Sequence, residues 1–263
     1  MPRFAANLSF LYQEAPLLER IGLAARDGFG AVEYVSPYEH EATEIAARLK
    51  EAGVVQALFN LPAGDWDAGE RGIGCLPDRV EEFRRGVDTA IQYAKALDCP
   101  TVNCLAGLAP SGADAALLDR TLADNLAYAA PRLADAGIAL VMEPINRRDM
   151  PTYHVSTTDH AERIMEMAGV DNLKIQYDFY HMQISQGDLV ETFKRLFDRI
   201  GHVQIADNPG RNEPGTGEIA YGFVLAELDR LGYAGWVGCE YRPKTTTTEG
   251  LGWMAPYLKE RKP

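Results

Sequence analysis

The chain is expected to be an α/β protein, a single (β/α)8 TIM barrel domain spanning residues 1–263. Three observations point there. Eight short β-rich runs alternate with longer amphipathic stretches from end to end, which is the count of a TIM barrel. A length of 263 residues with 46% hydrophobic content suits one large barrel with a sizeable core. The rival architecture, a doubly wound open sheet, lacks its mark, because no GxGxxG follows the first strand.

In order, the strand runs are FAANLSF (4–10), AVEYV (31–35), VQALFNL (55–61), TVNCLAG (101–107), ALVMEPIN (139–146), LKIQYDFY (173–180), HVQIADN (202–208) and WVGCEY (236–241). Between them lie stretches with helical periodicity, among them PLLERIGLAARDG, EATEIAARLKEAG, VEEFRRGVDTAIQYAKALD and LLDRTLADNLAYAAPRLADAG. Helix stops are expected at Gly28, Gly53, Gly137 and Gly232. Two long Gly- and Pro-rich segments, 61–77 and 207–222, follow strands, so a barrel places both on its C-terminal face, where active sites sit. Loops of that length are uncommon without a function.

Composition excludes several classes. A net charge of −12 argues against nucleic acid or an anionic membrane surface as partner. No apolar run is long enough to span a bilayer, and MPRFAANLSF has no signal-peptide pattern, so a cytoplasmic enzyme of a small-molecule substrate is expected. The four cysteines show no metal-ligating spacing and are expected to be reduced, scattered thiols. Exposed Tyr and Trp near the mouth would allow a homo-oligomer.

The chemistry gathers at the strand ends. Glu143 closes ALVMEP, Asp178 closes IQYD, Gln204 lies in HVQIAD, and Glu240 lies in WVGCEY. Strand alternation pairs Val141 with Glu143, Gln176 with Asp178, His202 with Gln204, and Gly238 with Glu240 on one face each. If those faces point inward, three carboxylates and an amide converge at the barrel mouth. A buried charge needs a partner, and a hard-oxygen set of this kind suits Mg²⁺ or Mn²⁺ better than zinc.

The runs MEPIN, KIQYDFYHMQ, GHVQIADNPGRNEPGTGEI and GWVGCEYRP, with NLPAGDWDAGERG earlier, resemble the hydroxypyruvate isomerase family of xylose-isomerase-like barrels. The resemblance extends from ANLS to the final helical stretch. It implies Glu143 and Glu240 as paired acid/base residues, and Glu143, Asp178, Gln204 and Glu240 as holders of the cation in metal-dependent relatives. His181 and Arg211 match positions that contact substrate oxygens in the related ketose 3-epimerases. Those epimerases usually carry His where this chain has Gln204, a neutral and weaker ligand. Arg211 could hold a substrate carboxylate by a bidentate pair. Asn60, Trp66 and Arg71, in or beside the first long loop, could cover the substrate.

The expected reaction is the interconversion of hydroxypyruvate and tartronate semialdehyde through an enediolate. The alternatives on the same site are a 2-oxo-tetronate isomerase and a ketose 3-epimerase. A DNA-repair endonuclease on this barrel would want a His-rich multi-zinc site and a basic face, which five His and this charge do not supply. A sugar-acid-binding protein would not need two converging bases. Of the other histidines, His202 is expected to fill the barrel interior with a hydrogen bond, His160 to sit in a first helical turn, His154 to flank the same short segment, and His40 to be solvated. Glu33 is open between a structural hydrogen bond and a part in the site.

Overall fold

The structure, a computed structural model, describes residues 1–258. Eight parallel strands close on themselves: β1 (Arg3–Asn7), β2 (Ala31–Tyr34), β3 (Val55–Asn60), β4 (Thr101–Cys104), β5 (Ala139–Met142), β6 (Leu173–Asp178), β7 (Ile200–Ile205) and β8 (Trp236–Cys239). Ala5 of β1 stands opposite Ala31 of β2 on one side and Gly238 of β8 on the other, which seals the barrel. Parallel neighbours need a crossover that covers the sheet. The helices α1 (Leu17–Arg26), α2 (Ala42–Ala52), α3 (Val80–Leu97), α4 (Ala115–Asp135), α5 (Thr158–Ala168), α6 (Phe179–Ser185), α7 (Leu189–Arg195) and α8 (Tyr221–Arg230) supply it. This is the expected single-domain (β/α)8 barrel. The last five residues of the expected 1–263 span lie outside the described residues.

Most strands end sooner than their apolar runs. β5 stops at Met142 rather than Asn146, because Pro144 has no N–H for the ladder. β6 stops at Asp178 because that residue turns directly into α6, its side chain accepting from Tyr180 N at 2.7 Å. β7 begins at Ile200, two residues before its expected start. Most residues beyond the strand ends stay buried all the same, since they line the mouth. Helix stops fall as the chemistry asks: α2 closes on Gly53 at φ +68°, a left-handed turn that costs glycine nothing.

Two cores result. A large one lies between sheet and helices, and a small one joins Ala5, Ala31 and Ala57, with Trp236 packed against them. Alternation places Asn7 on the face of Ala5 and Glu33 on that of Ala31. Inside the barrel an alanine floor therefore gives way to a polar layer. All four cysteines are free and buried. Among the described residues no helix is long and apolar enough to cross a membrane.

Both long loops are held in shape. In the first, Arg79 grips Glu70 at 2.5 Å and Glu82 at 2.6 Å, and Arg71 stacks over Trp66 with 3.9 Å to the ring centre. In the second, the Asp207 carboxylate accepts from the N–H groups of Gly215, Gly217 and Ile219 at 2.9, 2.8 and 3.0 Å. One buried carboxylate thus organises the loop that carries Arg211.

Candidate active site

The barrel brings every expected strand-end residue to its C-terminal mouth. Glu143 lies one residue past β5, Asp178 ends β6, Gln204 is on β7, and Glu240 lies one residue past β8. All four are buried. Glu143, Gln204 and Glu240 share the wall of a cavity of about 20 Å³ with Asn7, Tyr34, Asn60 and Gln176. Asn60 stands at the end of β3, its Oδ1 accepting from Asn103 Nδ2 at 3.1 Å. A wide cleft of about 1210 Å³, bordered by Phe10, Tyr38, Trp66 and Arg242, opens nearby and shares Val35 with the small cavity.

Arg211 reaches into this acidic cluster. Its backbone sits in the left-handed region at φ +54°, and its carbonyl accepts from Arg242 N at 2.8 Å. Its guanidinium lies between the rings of Phe10 and Tyr180, at 4.7 and 5.1 Å. Nη2 stands 3.2 Å from Glu240 Oε1, and Nη1 is 3.6 Å from Asp149 Oδ2. His181, on α6, faces Asp178 and Glu143 at 3.6 and 3.7 Å through Nε2. The backbone N–H of Asn146 and its side-chain Nδ2 approach His181 Nδ1 at 3.4 and 2.6 Å, while Asn146 Oδ1 accepts from Asp149 N. Arg211 Nη2 stands 3.3 Å from His181 Nε2, so donors face both ring nitrogens, and Nε2 shares the space of the two carboxylates, where the three could hold one ion. Burial, with Arg211 beside it, pushes His181 well below its ordinary range and keeps it neutral.

The acids are strongly perturbed. Burial raises Glu143 far above the carboxylate range, and the charges of Glu240 and Asp178 raise it further. Burial also lifts Glu240 to about 8 and Asp178 to about 6, with Arg211 pulling both back. Glu143 Oε1 and Asp178 Oδ2 are buried without a hydrogen-bond partner among the described residues. Orphaned carboxylate oxygens of this kind fit a divalent cation held by oxygen ligands.

Beneath the site, Glu33 anchors the polar layer. Its Oε1 accepts from Gln204 Nε2 at 2.7 Å and Asn7 Nδ2 at 3.0 Å, and its Oε2 lies 2.7 Å from His202 Nε2. Gln204 must turn its NH₂ to this carboxylate, so its Oε1 faces the other way, accepting from Gln176 Nε2 at 2.6 Å with a lone pair to spare. Gly238 makes the room: a Cβ there would collide with the Glu33 carboxylate. His202 thus fills the interior with a hydrogen bond, as its sequence position indicates. Trp66 and Arg71 pair with each other, Trp66 bordering the wide cleft and neither lining the small cavity. Three residues that carry the site's geometry have no signal in the sequence beyond their neighbourhood: Asn146, inside MEPIN, then Asp149 and Phe10.

Comparison with known proteins bears on this geometry directly. A family model described as "Xylose isomerase-like TIM barrel" matches residues 21–257. The chain belongs to the xylose isomerase-like TIM barrel family. Within it, the chain is 49% identical over 257 residues to hydroxypyruvate isomerase of Escherichia coli, covering 98% of this chain and 100% of that one. It is 48% identical over 258 residues to 2-oxo-tetronate isomerase of Cupriavidus necator, covering 98% and 99%. A crystal structure described as an AP endonuclease, family 2, from Brucella melitensis superposes with a TM-score of 0.95 at 45% identity, covering 98% and 99%. An Escherichia coli 3-keto-D-glucoside 4-epimerase shares the fold, with a TM-score of 0.79 at 20% identity.

Proposed function

We propose that this member of the xylose isomerase-like barrels interconverts hydroxypyruvate and tartronate semialdehyde, with one glutamate taking a proton from carbon and a second giving one to the neighbouring carbon. The observation that carries this reading is the pair Glu143 and Glu240 on the wall of one small buried cavity, with Arg211 on only one of them. Burial raises both glutamates; the charges of Glu240 and Asp178 push Glu143 further up, while Arg211 holds Glu240 back to about 8. Glu240, the less raised of the two and the one beside Arg211, is the base in this reading, and Glu143 the acid.

The chemistry balances without an outside reagent. Glu240 takes a proton from the CH₂OH carbon of hydroxypyruvate. The electron pair left behind forms the bond to the carbonyl carbon and moves the carbonyl pair onto oxygen, giving the enediolate. Glu143 gives its proton to the former carbonyl carbon, while the hydroxyl proton passes to the neighbouring oxygen; Glu240 then loses and Glu143 regains a proton through solvent water, which restores both. The aldehyde and the new CHOH group of tartronate semialdehyde result. His181, with Nε2 beside both Glu143 and Asp178, stands where it can contact a substrate oxygen in the same space.

A divalent cation, Mg²⁺ or Mn²⁺, would be held by Glu143, Asp178, Gln204 and Glu240. When bound, it supplies Lewis-acid polarisation of the carbonyl oxygen. The cavity between the glutamates has room for about one water, so its wall must open when substrate enters. Arg211, beside Glu240, is placed to take the substrate carboxylate by two parallel hydrogen bonds. A net charge of −12 argues against a nucleic acid substrate, whatever name the Brucella relative carries.

A second reading is isomerisation of a 2-oxo-tetronate, the same chemistry on a longer chain. The near-equal identity to relatives of both names supports it, as does the open cleft beside the site. Measuring kcat/KM on both substrates separates the two. Hydroxypyruvate is expected to be preferred by about tenfold or more; the reverse ratio assigns the longer substrate.

A further inference from the structure

On the outer layer of the barrel, we infer that Asp119, His154 and His160 form a second cation site, one that takes a transition metal of the zinc or cobalt type. The three residues come from three places: Asp119 from α4, His154 from the loop after β5, and His160 from the first turn of α5. Both imidazoles bring Nε2 to the same carboxylate oxygen, Asp119 Oδ1, at 2.7 and 2.8 Å. The two rings stand edge to face with centres 5.1 Å apart. All three ligand atoms lie within 4.8 Å of one another.

The backbone holds both histidines in place without help from their rings. His154 N donates to Gly107 O at 3.0 Å, and its carbonyl accepts from Arg147 Nη2 at 3.3 Å. His160 N donates to the Thr157 side chain that caps α5, at 3.2 Å. The next residue of that turn, Thr158, is tied to Gln186 by its N–H at 3.0 Å. The donor atoms are therefore gathered before any ion arrives, and binding has little conformational entropy to overcome.

The donor chemistry differs from that at the barrel mouth. Two imidazole nitrogens and one carboxylate oxygen suit zinc, cobalt or nickel, where the mouth offers an oxygen-dominated set. Side-chain exposures of 5% for His154, 15% for His160 and 19% for Asp119 leave one side open, so water can complete the coordination. In a tetrahedral site with bonds near 2.0–2.1 Å, neighbouring donors stand about 3.3 Å apart. The two histidine–carboxylate edges must open by only about half an ångström to reach that. The plain alternative is a hydrogen-bonded cluster that does no more than fasten α4 to α5.

Cobalt titration of the whole chain, stripped with a chelator and dialysed, decides between these. A nitrogen-containing four- or five-coordinate cobalt site gives strong visible absorption, whereas a six-coordinate oxygen set absorbs weakly. The expected result is a strong band saturating at one equivalent per chain, present also in Asp178→Asn. In His160→Gln the cobalt affinity should fall by more than the roughly 10–100-fold that loss of an outer partner costs. Mn²⁺ binding at the mouth, followed by electron paramagnetic resonance, should stay as in the parent chain. Asp119→Asn serves the same purpose should His160→Gln fail to fold. Absence of a strong band, or a band that keeps its parent affinity in His160→Gln or Asp119→Asn, overturns the inference.

Discussion

Replacing Glu240 with glutamine isolates one proton-transfer group. Glutamine keeps the volume and can still accept from Arg211 Nη2, which lies 3.2 Å from Glu240 Oε1. The ability to take up a proton is lost, and the charge offered to a cation with it, so turnover is compared at saturating Mn²⁺. A positioned acid or base contributes roughly 10²–10⁴-fold. The kcat on hydroxypyruvate should therefore fall about 10³-fold, equivalent to ~4 kcal/mol, with KM little changed. Stability supplies an independent check with a definite sign. Burial raises Glu240 from 4.5 to about 8, so between those values the folded, cation-free chain holds a proton that the unfolded chain has released. The contribution is present below pH 4.5 and is lost as pH rises toward 8. The shift sets a ceiling on the order of 5 kcal/mol. Glutamine has no such cost, so in chelator Glu240→Gln should melt above the parent at pH 8 and close to it at pH 4.5. Turnover is read by coupling tartronate semialdehyde to a reductase, and melting by circular dichroism. A folded variant that keeps more than about a tenth of the parent kcat refutes the assignment of the base.

Other outcomes follow from the same geometry. Glu143→Gln should lose turnover by a similar factor yet still exchange the C3 protons of hydroxypyruvate with solvent, as proton NMR in D₂O can show; loss of both would make Glu143 the base instead. Arg211→Lys should raise KM roughly 10-fold or more, since a bidentate charged pair is reduced to a point contact, and an unchanged KM counts against a carboxylate clamp. Glu33→Gln should cost about 2–3 kcal/mol in urea unfolding, because a carboxylate that accepts from Gln204, Asn7 and His202 becomes a neutral amide with one end a donor. It should also weaken Mn²⁺ binding by releasing the Gln204 amide; stability and Mn²⁺ affinity both at parent values would contradict that support. Chelator-stripped protein should lose activity and regain it with Mg²⁺ or Mn²⁺, whereas full activity after verified metal removal leaves the glutamates at work without a required cation.

Much of this was legible in the sequence because barrels translate order into position. A strand-end acid at Glu143, Asp178 or Glu240 must reach the mouth once the strands are parallel, and period-two alternation settles its face. The shortened strands show where that logic stops. Apolar runs record burial, and residues such as Ile145 and Tyr241 are buried beyond the last ladder hydrogen bond. Contacts between distant loops were not legible either. Asn146 finds His181 35 residues away, Arg211 finds Phe10 across the barrel, and Asp119 gathers His154 and His160. No local spacing encodes such pairings. Glu33 sits between these cases: its inward direction follows from AVEYV, but its partners on β1 and β7 appear only when the barrel closes.

The most direct test of two-glutamate proton transfer is proton NMR of hydroxypyruvate in D₂O with the cation-supplemented protein. The Glu143→Gln, Glu240→Gln double variant serves as the control for spontaneous enolisation. Loss of the C3 proton signal together with growth of tartronate semialdehyde, far faster than in the double variant, is the predicted result. A folded protein that leaves hydroxypyruvate at the rate of the double variant would contradict it.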